Sequence, residues 1–156
     1  MSLLPFLAVT IGGAIAAFLL RSDDRASSLV GGLALVAAFV TALAIVPDQT
    51  LLLGGSGLNT TAYLRLFLVF GSALGLLLAL IGAATDRHRD APTVTLGILA
   101  TSGVALALPD AHLAVIAASA GGVFGALLTL DAVAARFGAT VGIRVLRATV
   151  IAATMA

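Results

Sequence analysis

AYLRLFLVFGSALGLLLALIGAA, residues Ala62–Ala84, is apolar throughout apart from one charge, Arg65. Coiled as a helix at about 1.5 Å per residue, a run of this length reaches roughly 35 Å and exceeds a hydrocarbon core about 30 Å thick. Residues 3–20, 29–46, 93–108 and 113–130 have the same character, and none of these four stretches contains a charged side chain. With 61% of the residues hydrophobic and 10% charged, the chain lacks the polar groups that a water-facing surface requires. Backbone polar groups inside each run have to be satisfied within the run, which selects helices. A closed barrel needs alternating strands of about ten residues, and these runs do not alternate. The expected fold is therefore all-α: a polytopic transmembrane helical bundle of five full spans with the N-terminus outside.

Orientation follows from the arginines. The connection after the first span carries Arg21 and Arg25, the third carries Arg87 and Arg89, and the segment after the fifth carries Arg136, Arg144 and Arg147. The second and fourth connections contain none. Basic loops stay in the cytoplasm, which puts loops one and three and the tail inside a bacterial-type inner (cytoplasmic) membrane that the chain crosses several times. The first span does not read as a cleavable signal, because its basic residues follow the apolar run instead of preceding it.

Two regions are expected: residues 1–130 as the five-helix bundle, and 131–156 as a cytoplasmic connection leading into a further apolar stretch. That last stretch, residues 148–156, is too short to span. Either it lies along the interface, or it begins an incomplete sixth helix in a protein that continues; the second reading is favoured. The external loop Gly54-Gly-Ser-Gly57, preceded by Leu51–Leu53, either rests on the membrane surface or pairs as a short hairpin, with Asn59 or Thr60 as a cap for the third helix.

Chemically active groups are scarce. Every basic residue besides the histidines is Arg, every acid is Asp, and there is no Cys, so disulfides and thiolate metal sites are excluded. A net charge of +1 and the lack of a basic, aromatic-interleaved patch argue against nucleic acid. His88 sits between two arginines without a ligand neighbour, and no catalytic triad, phosphate loop or dinucleotide fingerprint is present. No catalytic residue, metal or cofactor is expected, and whether the chain serves an enzyme at all is left open.

Intramembrane ionisable groups are the usual markers of an ion path. Arg65 reads either as a counter-charge in a watery pocket or as a side chain snorkelling to the headgroups. Asp110 and His112 flank the fourth connection, as a proton relay or as plain solvated groups; histidine is the residue type that changes charge near neutral pH. Asp131 stands where the fifth helix meets the cytoplasm, within reach of Arg136. Ser72, Thr101, Ser102, Ser119 and Thr129 are hydroxyls that bond to their own helix or to a neighbour. Gly71 with Gly75, and Gly121 with Gly125, form GxxxG spacings that either bring two helices into close contact or arise by chance in a glycine-rich chain.

The order of segments carries a resemblance. Two helices precede a long external loop. The third helix opens with Tyr63-Leu-Arg-Leu-Phe-Leu-Val-Phe70, and Thr95-Leu-Gly-Ile-Leu-Ala-Thr-Ser-Gly-Val-Ala-Leu-Ala-Leu-Pro-Asp-Ala-His-Leu113 makes a fourth helix and a short turn into the fifth. Gly142-Ile-Arg-Val-Leu-Arg-Ala-Thr-Val-Ile-Ala152 looks like the start of a sixth. Together these resemble the N-terminal third of the antiporter-like, proton-translocating type of membrane subunit found in respiratory complex I (the NADH–quinone oxidoreductase) and in membrane-bound hydrogenases.

The resemblance implies a Glu on the fifth helix paired with lysines on later helices. Here that helix reads Ala117-Ala-Ser-Ala-Gly-Gly122, without a carboxylate near Ala120. Arg147, or less closely Arg144, falls at the family's basic position, and Arg does not release a proton at physiological pH. The resemblance with this departure implies a structural or coupling subunit, surrounded by other integral membrane subunits and lipid. The alternative is a small homo-oligomeric transporter or channel with its glycine-lined third and fifth helices at the oligomer interface.

Overall fold

The computed structural model describes residues 2–20, 22–53, 56–85 and 91–123. They form helices α1 (Leu4–Leu19) and α2 (Asp24–Leu43), strands β1 (Gln49–Leu53) and β2 (Ser56–Thr60), and helices α3 (Ala62–Thr85) and α4 (Ala91–Ala107). A fifth helix, α5, is described over Ala111–Val123.

Local signals set the helix ends. Proline in the first turn starts α1, where its missing N–H costs nothing. The Asp23 carboxylate accepts the backbone N–H groups of Arg25 (3.0 Å) and Ala26 (3.2 Å), which fixes the start of α2. The second helix therefore begins five residues ahead of the apolar run that predicts it. The polar residues before Leu29 form a first turn rather than a loop. The cap of α3 is Thr61, whose hydroxyl accepts the Leu64 N–H at 3.1 Å. Neither Asn59 nor Thr60 fills that role, because both belong to β2.

The second connection is a hairpin, with Gln49 opposite Thr60, Leu51 opposite Leu58 and Leu53 opposite Ser56. Thr60 latches its base: the hydroxyl receives the Gln49 N–H (3.0 Å) and donates to the Gln49 carbonyl (2.7 Å). Asp48, at φ 63°, turns the chain through the left-handed region that Asp tolerates better than most residues, and its N–H donates to the Thr60 carbonyl at 2.6 Å. Leu58 points inward into the core while Leu52, on the other face, stays exposed.

Helices α1 to α4 close into a bundle in which α4 lies against α1, α2 and α3. Helices α3 and α4 run antiparallel: Gly71 of α3 meets Leu99 of α4, and Gly75 meets Thr95. The core gathers Leu3, Phe6, Leu35, Leu64, Leu68 and Leu96, all fully or almost fully buried. Helix–helix approach is very close at Gly13, Gly31, Gly71, Gly75 and Gly121, where an added Cβ would press on Ala34, Pro92, Leu99, Thr95 and Thr101. A Cβ on Gly75 would stand 2.5 Å from Thr95 Cγ2, and one on Gly31 would stand 2.7 Å from Pro92 Cβ.

The five expected spans are not all found. Two described helices, α2 over Arg25–Leu43 and α3 over Ala62–Ala84, are long and apolar enough to cross a bilayer. The others are shorter: α1 has 16 residues and α4 has 17. Helix α1 must end before the turn into Asp23, and Pro109 follows closely on α4, so each reaches about 24–26 Å at the standard rise. The end of the fifth expected span (124–130), the connection from 131 and the incomplete sixth helix lie outside the described residues.

The tight contacts give a stability prediction. Gly75→Val should lower stability by about 1–3 kcal/mol through overpacking against Thr95 and Leu35. Gly12→Val, at a position where an added Cβ meets nothing within 4 Å, should stay within about 0.5 kcal/mol. Thermal unfolding of the two variants in mild detergent makes the comparison.

Candidate functional site

The hairpin end of the bundle brings together the C-terminus of α2, the start of α3 and the turn between α4 and α5. It holds Asp48, Arg65, Asp110 and His112. What each can do depends on its partner.

Arg65 lies one turn into α3, and its Nη2 donates to the carbonyl of Leu43, the last residue of α2, at 3.0 Å. The last carbonyls of a helix lack intrahelical donors and carry the negative end of its dipole, so a guanidinium there supplies both a hydrogen bond and a compensating charge. Arg65 thus ties α2 to α3. Neither expected role, a counter-charge in a pocket or a snorkelling side chain, includes this bond.

Asp110 starts α5. Its Oδ1 accepts the backbone N–H groups of His112 (2.8 Å) and Leu113 (3.4 Å), and its carbonyl accepts from Ala114 (2.9 Å). Both Asp110 and the His112 side chain are exposed. The pair is joined through the His112 backbone amide, and the geometry is that of a helix cap.

Among the described residues the buried polar side chains are Thr10, Ser27, Thr60, Ser72 and Thr93, and none of these is ionisable. Thr10 donates to the Phe6 carbonyl (2.9 Å), Ser72 to Leu68 (2.7 Å) and the half-buried Thr101 to Gly97 (2.9 Å), each within its own helix. Ser27 differs: from the first turns of α2 it reaches the Ala17 carbonyl of α1 at 2.8 Å. Among the described residues no buried side-chain nitrogen or oxygen lacks a partner, and no group of three or more His, Cys, Asp or Glu gathers as a metal site.

The glycines face inward. Gly71 and Gly75 pack on α4, and Gly121 of α5 packs on Thr101, whose hydroxyl would collide with any added Cβ. Gly121 is the one buried position of the described α5, and Ala120 is exposed. Gly125, Asp131, Arg144 and Arg147 lie outside the described residues.

Sequence reasoning does not anticipate an apolar groove of about 550 Å³ between α3 and α4. Phe67, Phe70, Leu74 and Leu78 form one wall, Ile98 and Leu99 the other, and Tyr63 stands at the hairpin end. The recurrence of ring side chains at 63, 67 and 70 on one face of α3 is the signal that points to it. No family model, curated protein or solved structure matches this chain.

Substitutions at two positions separate caps from carriers. Arg65→Leu should cost about 1–2 kcal/mol, with Arg65→Lys recovering part of it, as read by thermal unfolding. Asp110→Asn should leave stability within about 0.5 kcal/mol because Asn caps as well as Asp, whereas Asp110→Ala should cost about 1 kcal/mol. A loss from Asp110→Asn as large as that from Asp110→Ala would contradict the cap assignment.

Proposed function

We propose that the chain is a multi-pass bundle of a bacterial-type inner membrane, N-terminus outside. In this reading it serves as a structural or coupling subunit of a larger complex-I-like or hydrogenase-like ion-translocating assembly. The observation that carries the membrane part is the outer surface of the two longest helices. Only 28% of α2 and 22% of α3, over their apolar stretches, is buried within the bundle. A core helix of a water-soluble domain would be mostly covered. Here Leu33, Leu66 and Phe70 project outward at 70%, 70% and 74% exposure. An apolar surface on this scale needs lipid or protein against it.

The five-span topology extends this reading. Helices α1 and α4 are short of a full core, but Leu20 and Leu108 prolong their apolar surface. A bilayer thins locally around short helices at a modest cost per ångström. The charges support the same layout, with Asp23 and Arg25 at one end and Asp48, Arg65 and Asp110 at the other.

The non-carrying role is supported by the interior. A proton path needs groups that change charge, and among the described residues the buried polar side chains are hydroxyls, of which Thr10, Ser27, Thr60 and Ser72 donate to carbonyls. Residues 117–122 of α5, where the resembled family keeps its carboxylate, are Ala, Ser and Gly. The family part rests on the order and wording of the segments quoted above. The homo-oligomeric transporter has less in its favour, because Gly71, Gly75 and Gly121 are engaged inside one protomer.

Because the chain contains no Cys, single cysteines report orientation cleanly. In intact cells, Asp48→Cys should react with a membrane-impermeant maleimide and Ser22→Cys should not; the reverse pattern would invert the topology. Native mass spectrometry after extraction from its own membrane should find the chain with other hydrophobic subunits. A lone, monodisperse chain would remove the assembly reading and leave the membrane one standing.

A further inference from the structure

We infer that the bundle is matched to a thin bilayer, with short-chain phospholipids around it forming a hydrocarbon core about 25 Å thick rather than about 30 Å. The inference rests on the membrane reading above and goes beyond it by assigning the kind of lipid surface that fits.

The distribution of the exposed apolar residues points to what covers them. They are not confined to one side. Leu19 of α1, Leu33 of α2, Leu66 and Phe70 of α3 and Ile116 of α5 all project outward. Helix α4, packed against α1, α2 and α3, exposes Ile98 and Leu106. A second copy or a single partner helix covers one face of such a bundle, whereas a bilayer covers the circumference. Charge bounds this belt at both ends. Asp23 and Arg25 stand at one, Asp48, Arg65, Asp110 and His112 at the other, and residues 26–47, 66–84 and 91–108 contain no charge. A neutral band between charged rims is the polarity profile that a bilayer imposes, because charge is costly to bury in its core.

The height of the belt sets the thickness. On α1 the outward apolar residues run from Leu4 to Leu20, about 24 Å at the helical rise. On α2 they run from Leu29 to Leu43, about 21 Å, and on α3 from Leu66 to Ala84, about 27 Å. Helix α3 is the informative case. Its 24 residues are long enough for an ordinary core. Arg65, one turn in, is nevertheless held at the end of α2 by the Leu43 carbonyl, so the charged rim lies inside the helix end. Tyr63 stands beyond Arg65, where an aromatic ring with a hydroxyl suits the headgroup level. Tilt lowers all three heights further. Each falls short of about 30 Å, and one thin bilayer suits the three helices together.

The test is thermal unfolding of the full chain, followed by helical circular dichroism, in phosphatidylcholine vesicles that differ in acyl-chain length. Dimyristoleoyl, dipalmitoleoyl, dioleoyl and dierucoyl lipids make the series. The midpoint should be highest in one of the two shortest and lower by about 5 °C in dierucoyl lipid, where mismatch is largest. A midpoint that is highest in dioleoyl or dierucoyl lipid, or that stays constant, would overturn the inference. A second measurement does not depend on unfolding. The chain has no Trp, so Leu33→Trp, outward at mid-belt, reports on its lipid neighbours. In vesicles of brominated dioleoyl lipid, dimyristoleoyl lipid should relieve the quenching about threefold more effectively than dierucoyl lipid. Equal or reversed relief counts against the thin bilayer. A chain that enters every vesicle without preference sinks this inference alone; a chain that stays in the aqueous fraction throughout sinks the membrane reading with it.

Discussion

Shape, more than polarity, decides which side of each helix turns inward. Leu64 and Leu66 are the same residue two positions apart, and their exposures are 1% and 70%. A water-soluble bundle sorts its helices by apolar against polar faces; here both faces are apolar and that sorting is absent. What distinguishes the inner side is fit. Ala14, Ala17, Ala38 and Ala42 are buried, and Gly31 and Gly75 admit Pro92 and Thr95 to distances at which any side chain would clash. Close packing of small residues is the device available to helices that gain nothing from hiding apolar surface from their surroundings.

Polar groups are then left to finish helices. Asp23, Thr61 and Asp110 occupy three helix starts, and Arg65 closes the end of α2 from a neighbouring helix. Ser27 joins α2 to α1 at the opposite end of the bundle. Two of these contacts use side chains that the sequence marks as ion-path candidates, Arg65 and Asp110. In Asp23 and in Asp110 a single carboxylate oxygen holds both backbone amides at the helix start.

This division explains what the sequence makes legible. The helical class and the positions of the apolar runs are visible because they depend only on local composition. The hairpin is foreshadowed by the glycine-rich turn after Leu51–Leu53, and the small-residue spacing of Gly71 and Gly75 marks a face without naming its partner. Partners are what composition hides. Arg65 and Leu43 are 22 residues apart, and Ser27 and Ala17 are ten, so each contact depends on the register of two packed helices. Helix length is also misread where polar residues extend a helix, as before Leu29, or where a turn truncates it, as after Leu19. The groove is a property of two helices held at one spacing, and no single segment contains it.

Helix α3 is where these constraints meet. One side carries Leu64, Leu68 and Ser72 into the core, and Arg65 reaches back to α2. Gly71 and Gly75 bring α4 close on the next side, and because α4 answers them with Leu99 and Thr95, the two helices meet along that line and part beyond it. The groove is the space where they part, bounded by the ring side chains that α3 sets on its outward face. A bulkier residue at either glycine would move α4, and with it the far wall. The residues that hold the bundle together therefore also determine the width of this groove.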